Sequence, residues 1–339
     1  MKHTSEWVSL GHPDKTADCI SSYILDRHLE RDPDTRYAVE VQIKDNFVSL
    51  AGEITSKAGF GPSYLAKFAQ DAVNKIGYTK AYQKKWGKEN TICGDDLSVV
   101  CHVSRQSPDI ARGVDENGWG DQGIFWGMAY NYEKTGYMPI DIWSAREIGT
   151  GLFRNPNLGL DVKTLVSIDD DDDIGVECVI AAAPCIGLDD EIRTVLGAKF
   201  GGCRVVFNGT GRFVRHGPIG DCGTTGRKLA VDFYGGNCRI GGGSPWTKDG
   251  TKADLTLNLY ARYRALRFMR EHGLPLVYCA ISCCIGRPEI EIAFFDGRNE
   301  QLYTAEEKHA PAELIELFGL REPHFADLCA NGLFSRMPD

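Results

Sequence analysis

The 339-residue chain has no excess of positive charge, because 38 Lys and Arg stand against 47 Asp and Glu, for a net charge of −9. Surfaces that bind nucleic acid or anionic lipid need a basic excess to neutralise phosphate groups. The composition therefore argues against both kinds of partner. Any phosphate that the protein binds must meet a local cluster of cations.

Long apolar runs are also missing. The two longest weakly polar stretches, 176–188 and 274–285, fall well short of the roughly 20 residues that a membrane-spanning helix requires. The first eleven residues contain no basic region followed by an apolar stretch, which is the pattern of a secretory signal. We therefore expect no membrane span and a cytoplasmic location.

The twelve cysteines form no C-x-x-C motif, which argues against a zinc site or a thioredoxin-type redox pair. In a cytosolic protein, cysteine behaves mainly as a small hydrophobic residue. We therefore expect most of these side chains to be buried, reduced thiols.

Three stretches of the chain have a similar order of elements: a hairpin of two strands, a helix and a further strand. Alternation and helical periodicity place the first stretch at 37–103, with a helix that stops at Gly77, and the second at 165–207. The third is less regular, with a helix over 254–272 capped by Gly273 and strands at 276–282 and 289–295. The pattern predicts an α+β fold of three similar sheet-plus-helix units, with domains at 1–105, 106–214 and 215–339.

The five aspartates of 169–173 lie between two predicted strands. They could be imagined as a calcium loop, but they lack the Gly and the terminal Glu of an EF-hand. A solvated hairpin turn is the favoured interpretation.

Residues 209–250 are rich in glycine and cations. They hold 12 of the 38 glycines, and seven Lys or Arg stand against three Asp between Arg212 and Lys252. Glycines let backbone N–H groups approach a phosphate closely, and Arg and Lys supply charge-assisted hydrogen bonds. The segment predicts a polyphosphate site, although alone it could equally be a set of surface turns with solvated cations. Residues 220–228 fail the Walker spacing, which disfavours an ordinary P-loop.

A second anion site is predicted at residues 11–15, Gly-His-Pro-Asp-Lys, which lead into an amphipathic helix with Pro13 at its first position. Free N–H groups and the helix dipole make such a terminus a ready site for phosphate, with His12 and Lys15 beside it. Asp14 could hold a divalent metal against the same phosphates. Alternatively, His12 and Asp14 only cap the helix.

Eight segments in order along the chain resemble the signatures of methionine adenosyltransferases, of which this chain looks like a short and divergent member. They are Gly11-His-Pro-Asp-Lys15, Gly52-Glu-Ile-Thr55, Gln106-Ser-Pro-Asp-Ile110, Gly120-Asp-Gln-Gly123, Gly211-Arg-Phe213, Gly217–Lys228, Tyr234-Gly-Gly236 and Gly241–Asp249. The resemblance implies attack of the methionine sulfur on C5' of ATP, with triphosphate as the leaving group and its later hydrolysis to phosphate and pyrophosphate. Such chemistry requires positioning and charge rather than a protein nucleophile.

The resemblance also implies roles for individual residues. The implied catalytic residues are His12, Lys163, Arg227, Lys228 and Lys248. The implied ATP-binding residues are these five with Asp161, Arg212, Phe213, Asp221 and Ser244. The implied methionine-binding residues are Glu53, Gln106, Asp121, Asp221, Lys252 and Ile285.

The implied cofactors are Mg²⁺, with two ions per site, and K⁺. Asp14, Asp254 and Glu6 match the magnesium positions and Glu40 the potassium position, and hard cations prefer such oxygen ligands. The resemblance further implies a homodimer, with relatives that pair into tetramers, and an active site between two subunits.

The chain departs from the family pattern at Leu10, where a Glu is usual, and in a shortened segment at 114–120. Two other functions were weighed. An ATP-dependent ligase or kinase is disfavoured because Walker and kinase signatures are missing. A non-catalytic regulatory relative should have lost some catalytic residues, whereas His12, Asp14, Lys163, Lys228, Lys248 and Asp254 are all present.

Overall fold

A computed structural model of the protein describes residues 2–105, 118–169, 175–187, 189–199 and 202–338. Its strands are β1 Lys2–Val8, β2 Arg36–Lys44, β3 Phe47–Thr55, β4 Ser98–Ser104, β5 Gly123–Tyr130, β6 Lys163–Asp169, β7 Gly175–Ala182, β8 Arg204–Phe207, β9 Gly223–Thr224, β10 Leu276–Cys283, β11 Glu289–Phe295 and β12 Gln301–Lys308. Its α-helices are α1 Pro13–Leu29, α2 Pro62–Ile76, α3 Lys80–Trp86, α4 Ile140–Phe153, α5 Asp189–Lys199, α6 Leu229–Asp232, α7 Ala253–His272, α8 Pro311–Leu317 and α9 Phe325–Asn331.

The described strands form three four-stranded sheets, with orders β4-β3-β2-β9, β1-β6-β7-β8 and β12-β11-β10-β5. In the first, an antiparallel hairpin is followed by α2 and α3 and by a parallel return strand, β4. The second repeats this plan, with hairpin β6-β7, helix α5 and parallel strand β8. The third is antiparallel throughout. The α+β class and the three sheet-plus-helix units are confirmed.

The sheets exchange strands between distant parts of the chain. Strand β1 pairs with β6 of the second sheet, β5 pairs with β10 of the third, and β9 pairs with β2 of the first. A boundary drawn along the sequence therefore does not separate the sheets, and the division at 105 and 214 stays a prediction.

Helix α1 is buried on every side, so the prediction that it is amphipathic was wrong. Sixteen of its 17 residues are buried. It packs against α2, α9, β2 and β9, and its polar side chains have partners in those elements. Ser21 donates a 2.8 Å hydrogen bond to the carbonyl of Val39, for example. Burial of these groups is tolerated because they are hydrogen-bonded.

Other local predictions can be compared directly. Helix α7 ends at Gly273, whose φ of +62° lies in the left-handed region, as predicted. The turn predicted within 169–173 lies, from residue 170 onward, outside the described residues.

All twelve cysteines are free, but only Cys19, Cys93, Cys185, Cys279 and Cys329 are buried, so the expectation that most would be buried was wrong. Within the described ranges, no helix combines the length and apolar character needed to cross a membrane.

Asp26 of α1 holds the start of α9, because its carboxylate oxygens accept hydrogen bonds from the backbone N–H groups of Phe325 (2.8 Å) and Ala326 (2.9 Å). We expect Asp26→Ala to lower the free energy of unfolding by about 2–4 kcal/mol, because two buried donors lose a charged acceptor. Urea unfolding followed by circular dichroism would measure this. Asp71→Ala is the control, since Asp71 makes an exposed pair with Lys67 and its loss should cost within about 0.5 kcal/mol. Equal effects of the two substitutions would contradict the capping role.

Candidate functional site

A cavity of about 420 Å³ opens at the N-terminus of α1. Its lining includes five of the residues to which the sequence assigned ATP binding: His12, Asp161, Lys163, Phe213 and Asp221. They come from the start of α1, the start of β6 and the glycine-rich segment. The fold thus brings together chain segments that are more than 200 residues apart.

His12 is the N-cap of α1, and its Nδ1 accepts a 3.1 Å hydrogen bond from the backbone N–H of Asp14. Burial, together with the charges of Lys163 and Lys228, lowers the pKa of His12 to about 3 against the opposing effect of Asp14. The ring is therefore neutral near pH 7. Because Nδ1 is the acceptor, the proton lies on Nε2, which leaves Nε2–H as the donor of the ring. The capping and ligand-binding interpretations are compatible.

Asp14 connects α1 to the glycine-rich segment. Its Oδ1 accepts a 2.9 Å hydrogen bond from the N–H of Thr224, and its Oδ2 accepts a 2.7 Å hydrogen bond from Nζ of Lys228. Nε of Arg227 lies 3.6 Å from Oδ1. Burial alone would raise the pKa of Asp14, but the hydrogen bonds from Lys228 and Thr224 outweigh it and lower the pKa below its ordinary value. The carboxylate stays charged and keeps two cations at the mouth of the cavity.

Gly223 makes this connection possible. A Cβ on Gly223 would lie 2.1 Å from the carbonyl oxygen of Pro13, so any side chain would push β9 away from α1. The two-residue strand β9 is followed by the short helix α6, and the sequence did not predict this pair of elements. The arrangement still differs from a P-loop.

Two residues of the cavity wall, Asp161 and His216, hold the loop that carries Phe213. The carboxylate of Asp161 accepts a 2.9 Å hydrogen bond from the N–H of Gly217, and burial raises the pKa of Asp161 to about 6. The ring of His216 lies between the hydroxyl of Tyr82 (2.7 Å) and the carbonyl of Val214 (2.6 Å), and burial lowers the pKa of His216 to about 4.

Sequence reasoning missed three features of this region: Tyr82, His216 and the cavity-lining Arg215. Helix α3, which carries Tyr82, has only seven residues, too few for a hydrophobic period to be recognised. The available signal was the N-cap Thr79, whose hydroxyl accepts from the N–H of Tyr82.

A second group of predicted residues lies around the start of α7. The ammonium group of Lys248 forms an ion pair with Asp254, whose Oδ1 also accepts a 2.9 Å hydrogen bond from the N–H of Gly243. Lys248 pairs in an isolated bridge with Ala38, which is opposite Glu53 in the β2–β3 ladder. Lys252 lies 3.6 Å from Asp249. These contacts put Glu53, Lys248 and Asp254 in one neighbourhood.

Asp121 and Ile285 lie at the edge of the third sheet. The carbonyl of Asp121 is 3.4 Å from Sγ of Cys283, and Ile285 forms a bridge with Trp119. Asp121 is exposed, and 52% of Ile285 is exposed. In the described part of the chain, none of Glu53, Asp121, Lys248, Lys252, Asp254 and Ile285 lines the cavity at α1.

The remaining predicted residues have varied surroundings. Ser244 lies against Gly226, where an added Cβ would be 2.8 Å from the Cβ of Ser244. Arg212 is exposed and does not line the cavity, whereas Arg215 lines it.

Two of the predicted metal ligands lie on strands. Glu6 is exposed on β1 opposite Leu165, two positions from the pair Val8 and Lys163. Glu40 accepts a hydrogen bond from the hydroxyl of Thr225. Gln106 lies outside the described residues.

The fold and the cavity define a class of protein: an α+β protein whose cavity at the N-terminus of α1 is lined by the cationic side chains of Lys163 and Arg215. Comparison with known proteins gives the family. Residues 1–108 match the model of the S-adenosylmethionine synthetase N-terminal domain, and residues 215–338 match the model of its C-terminal domain. The chain belongs to the S-adenosylmethionine synthetase family.

Similar proteins cover almost the whole chain. The S-adenosylmethionine synthase of Desulforudis audaxviator is 35% identical over 98% of this chain and 93% of its own length, and that of Mesoplasma florum is 33% identical over 98% and 94%. A solved structure described as an unusual S-adenosylmethionine synthetase from Campylobacter jejuni has a TM-score of 0.87 at 29% identity, covering 98% of this chain and 94% of that chain. The resemblance inferred from the motifs is confirmed.

The environment of His12 gives a titration prediction. In the free protein we expect His12 to stay neutral, with its proton on Nε2, down to about pH 3–4, because burial and two lysines oppose protonation. Addition of ATP should raise the pKa of His12, since the polyphosphate supplies negative charge. Nitrogen-15 spectra of ring-labelled histidine, with His12→Gln to assign the signal, would measure both. An ordinary titration near 6.5 in the free protein would contradict this prediction.

Proposed function

We propose that this chain makes S-adenosylmethionine from ATP and L-methionine and then hydrolyses the triphosphate to phosphate and pyrophosphate. The observation that carries the proposal is the arrangement at the N-terminus of α1 in an acidic protein. His12 and Lys163 line the cavity there, and Lys228 and Arg227 lie beside Asp14 in the same helix turn. Such an arrangement suits a polyanionic leaving group.

The attacking atom is a thioether sulfur, which needs no deprotonation. The chain must therefore align sulfur with C5' and stabilise the oxygen that leaves. Neutral His12 suits this task, because its Nε2–H can donate to a phosphate oxygen without giving up its proton. Its Nδ1 is already held by the N–H of Asp14, so the ring is oriented before substrate arrives.

The cations act by charge. Lys228 and Arg227 are held near the cavity by Asp14, and Lys163 lies at the start of β6 with its side chain exposed on the cavity wall. A polyphosphate can share these cations with Asp14. Little reorganisation is then needed when the leaving group develops charge. We assign Lys248, which belongs to the second group of residues, to the same task of neutralising the triphosphate.

The residues fit magnesium held jointly with phosphate. Among the described residues, no group of three or more His, Cys, Asp or Glu side chains is arranged to bind a metal. Mg²⁺ in phosphate-transfer sites is typically held by one or two carboxylates, water and the phosphates themselves. Asp14 and Asp254, with Glu6 as a further candidate, would be those carboxylates. When bound, two such ions would neutralise charge on the phosphate oxygens. We assign Glu40, beside Thr225, to potassium.

The two substrates are assigned to two groups of residues that share Asp221. Phe213 lines the cavity and would stack on adenine, with Asp161, Asp221, Arg212 and Ser244 around the nucleotide. For methionine, Glu53 and Asp121 would bind the ammonium group, Gln106, Lys252 and Asp221 would bind polar atoms, and Ile285 would contact the apolar side chain.

We propose further that the chain forms a homodimer and that each active site joins the cavity of one subunit to the methionine group of the other. In the described part of the chain, Asp221 is the one residue assigned to methionine that also lines this cavity, which supports the proposal. Large apolar side chains are exposed on strand faces, including Ile124 (57%), Ile180 (41%) and Val100 (38%), and such faces typically become interfaces. A tetramer would pair two such dimers, as the family resemblance implies. Twelve free thiols suit a reducing compartment such as the cytoplasm.

Product analysis tests the activity. Purified protein with ATP, L-methionine, Mg²⁺ and K⁺ should form S-adenosylmethionine, phosphate and pyrophosphate in equal amounts, and only when both substrates are present. His12→Ala and Lys163→Met should each reduce turnover by about 10²- to 10³-fold, because each loses a preorganised group that stabilises the leaving phosphate. Chromatography with phosphate and pyrophosphate assays would measure this.

Lys67→Met is the matched control, because Lys67 pairs only with Asp71 on the exposed face of α2 and its loss should leave turnover unchanged. Absence of product despite ATP binding would overturn the proposed activity. It would favour the regulatory alternative and direct attention to Leu10 and the short 114–120 segment.

A further inference from the structure

A second, larger cavity lies behind α1, and we call it the rear cavity. Its volume is about 680 Å³, which is within the range of small-molecule sites. It is bounded by α4, by the end of β1, by the segment around α6 and by residues 329–335. No residue lines both this cavity and the one at His12. It is therefore separate from the proposed active site.

One face of helix α4 forms the main wall. Trp143, Arg146, Thr150 and Phe153 follow one another at spacings of three and four residues, so they lie on the same side of the helix. The opposite side, with Ala145, Ile148 and Leu152, packs into the core of the second sheet. The lining face is half-buried, and the segment around Gly332 approaches it at Arg146.

The walls are largely aromatic and apolar. Trp7 and Trp143 lie on one side, and Phe233 and Phe334 come from the segments on the other. Leu10, the residue that departs from the family pattern, adds a further apolar wall. Flat apolar groups bind well between aromatic rings, through offset or edge contacts.

Arg146 gives the rear cavity its charge. In the described ranges its guanidinium has no ion pair or hydrogen bond. Burial lowers the pKa of Arg146, and only the exposed neighbouring carboxylate of Glu147 offsets this in part. The guanidinium passes close to Gly332, where an added Cβ would lie 2.4 Å from its Nη1.

The other charged groups on the walls do not neutralise Arg146. Lys15 is already engaged, since its Nζ lies 2.7 Å from Asp232 and 3.2 Å from Asp18. The carboxylate of Asp232 is shared between Lys15 and the indole N–H of Trp246, which lies 2.7 Å away. Arg154 is a second lining cation. Glu147 also lines the cavity, but it is exposed, and it is outnumbered by Arg146 and Arg154. The walls therefore offer an excess of positive charge beside apolar side chains, and a half-buried guanidinium prefers a planar anion as its partner.

We propose that the rear cavity binds a small organic anion with a flat apolar body, whose acidic group pairs with Arg146 while its body lies among Trp7, Trp143 and Phe334. The inference does not depend on the proposed activity, because the two cavities share no lining residue. Lys15 lines the rear cavity and follows Asp14 directly, so an occupant would contact the first turn of α1 from the side opposite the phosphate site.

Fluorescence titration with 8-anilinonaphthalene-1-sulfonate tests the proposal, because this probe combines an aromatic body with one sulfonate. Its neutral analogue, N-phenyl-1-naphthylamine, lacks the anion. We expect the sulfonate to bind more tightly, and we expect Arg146→Met to weaken its binding about ten-fold or more without changing the binding of the neutral analogue. Arg298→Met, at an exposed loop position, should change neither.

Two further measurements complete the test. Gly151→Trp adds an indole at the rim, where a Cβ would have no atom within 4 Å, and it should weaken binding of both probes. Saturating ATP and methionine should leave sulfonate binding unchanged. Unchanged sulfonate affinity in Arg146→Met, or displacement of the probe by ATP, would overturn the proposal. Neither result requires turnover, so failure here is distinguishable from failure of the proposed activity.

Discussion

The site depends on the contact between the first turn of α1 and the glycine-rich segment more than 200 residues later. Asp14 accepts hydrogen bonds from Thr224 and Lys228, and Asp18 accepts a 2.9 Å hydrogen bond from the N–H of Gly226. Only a glycine at 223 lets β9 approach the carbonyl of Pro13 this closely. The same contact carries β9 into the first sheet and so joins distant parts of the chain into one body.

The carboxylates of α1 also explain how an acidic protein can prepare a site for a polyanion. Positive charges alone would repel one another and disperse into solvent. Paired with Asp14, Lys228 and Arg227 stay near the cavity, while Lys15 is held by Asp18 and Asp232 on the buried side. Burial, with help from the charges of Lys163 and Lys228, keeps the ring of His12 neutral although Asp14 opposes this. Charge and tautomer are thus set before any ligand binds.

Much of this could be predicted from local sequence. Helix α7 with its glycine cap, the hairpins and the parallel return strands follow from periodicity and turn residues, which act over a few positions. The burial of α1 could not be predicted in this way, because the partners of Ser21, Asp18 and Asp26 come from strands and helices far along the chain. The exchange of β1, β5 and β9 between sheets is equally non-local.

The site divides in the same way. The motifs identified His12, Asp14 and Lys228, and the family resemblance added Lys163. Neither identified Tyr82 and His216, which are joined by a hydrogen bond outside any motif. Nor did spacing reveal that Lys248 and Asp254 lie in a different group from the cavity at α1. That separation gives the account its central claim, an active site completed by a second copy of the chain.

The most direct test uses mixed dimers. Chains with His12→Ala and chains with Asp121→Ala, each with a different affinity tag, would be co-expressed and purified through both tags, and their turnover compared with wild type. If each site takes its cavity from one subunit and its methionine group from the other, one of the two sites in every mixed dimer is intact. About half of the wild-type turnover should then return, although either variant alone is inactive. Turnover no higher than that of the single variants, or failure of the two chains to co-purify, would contradict the account.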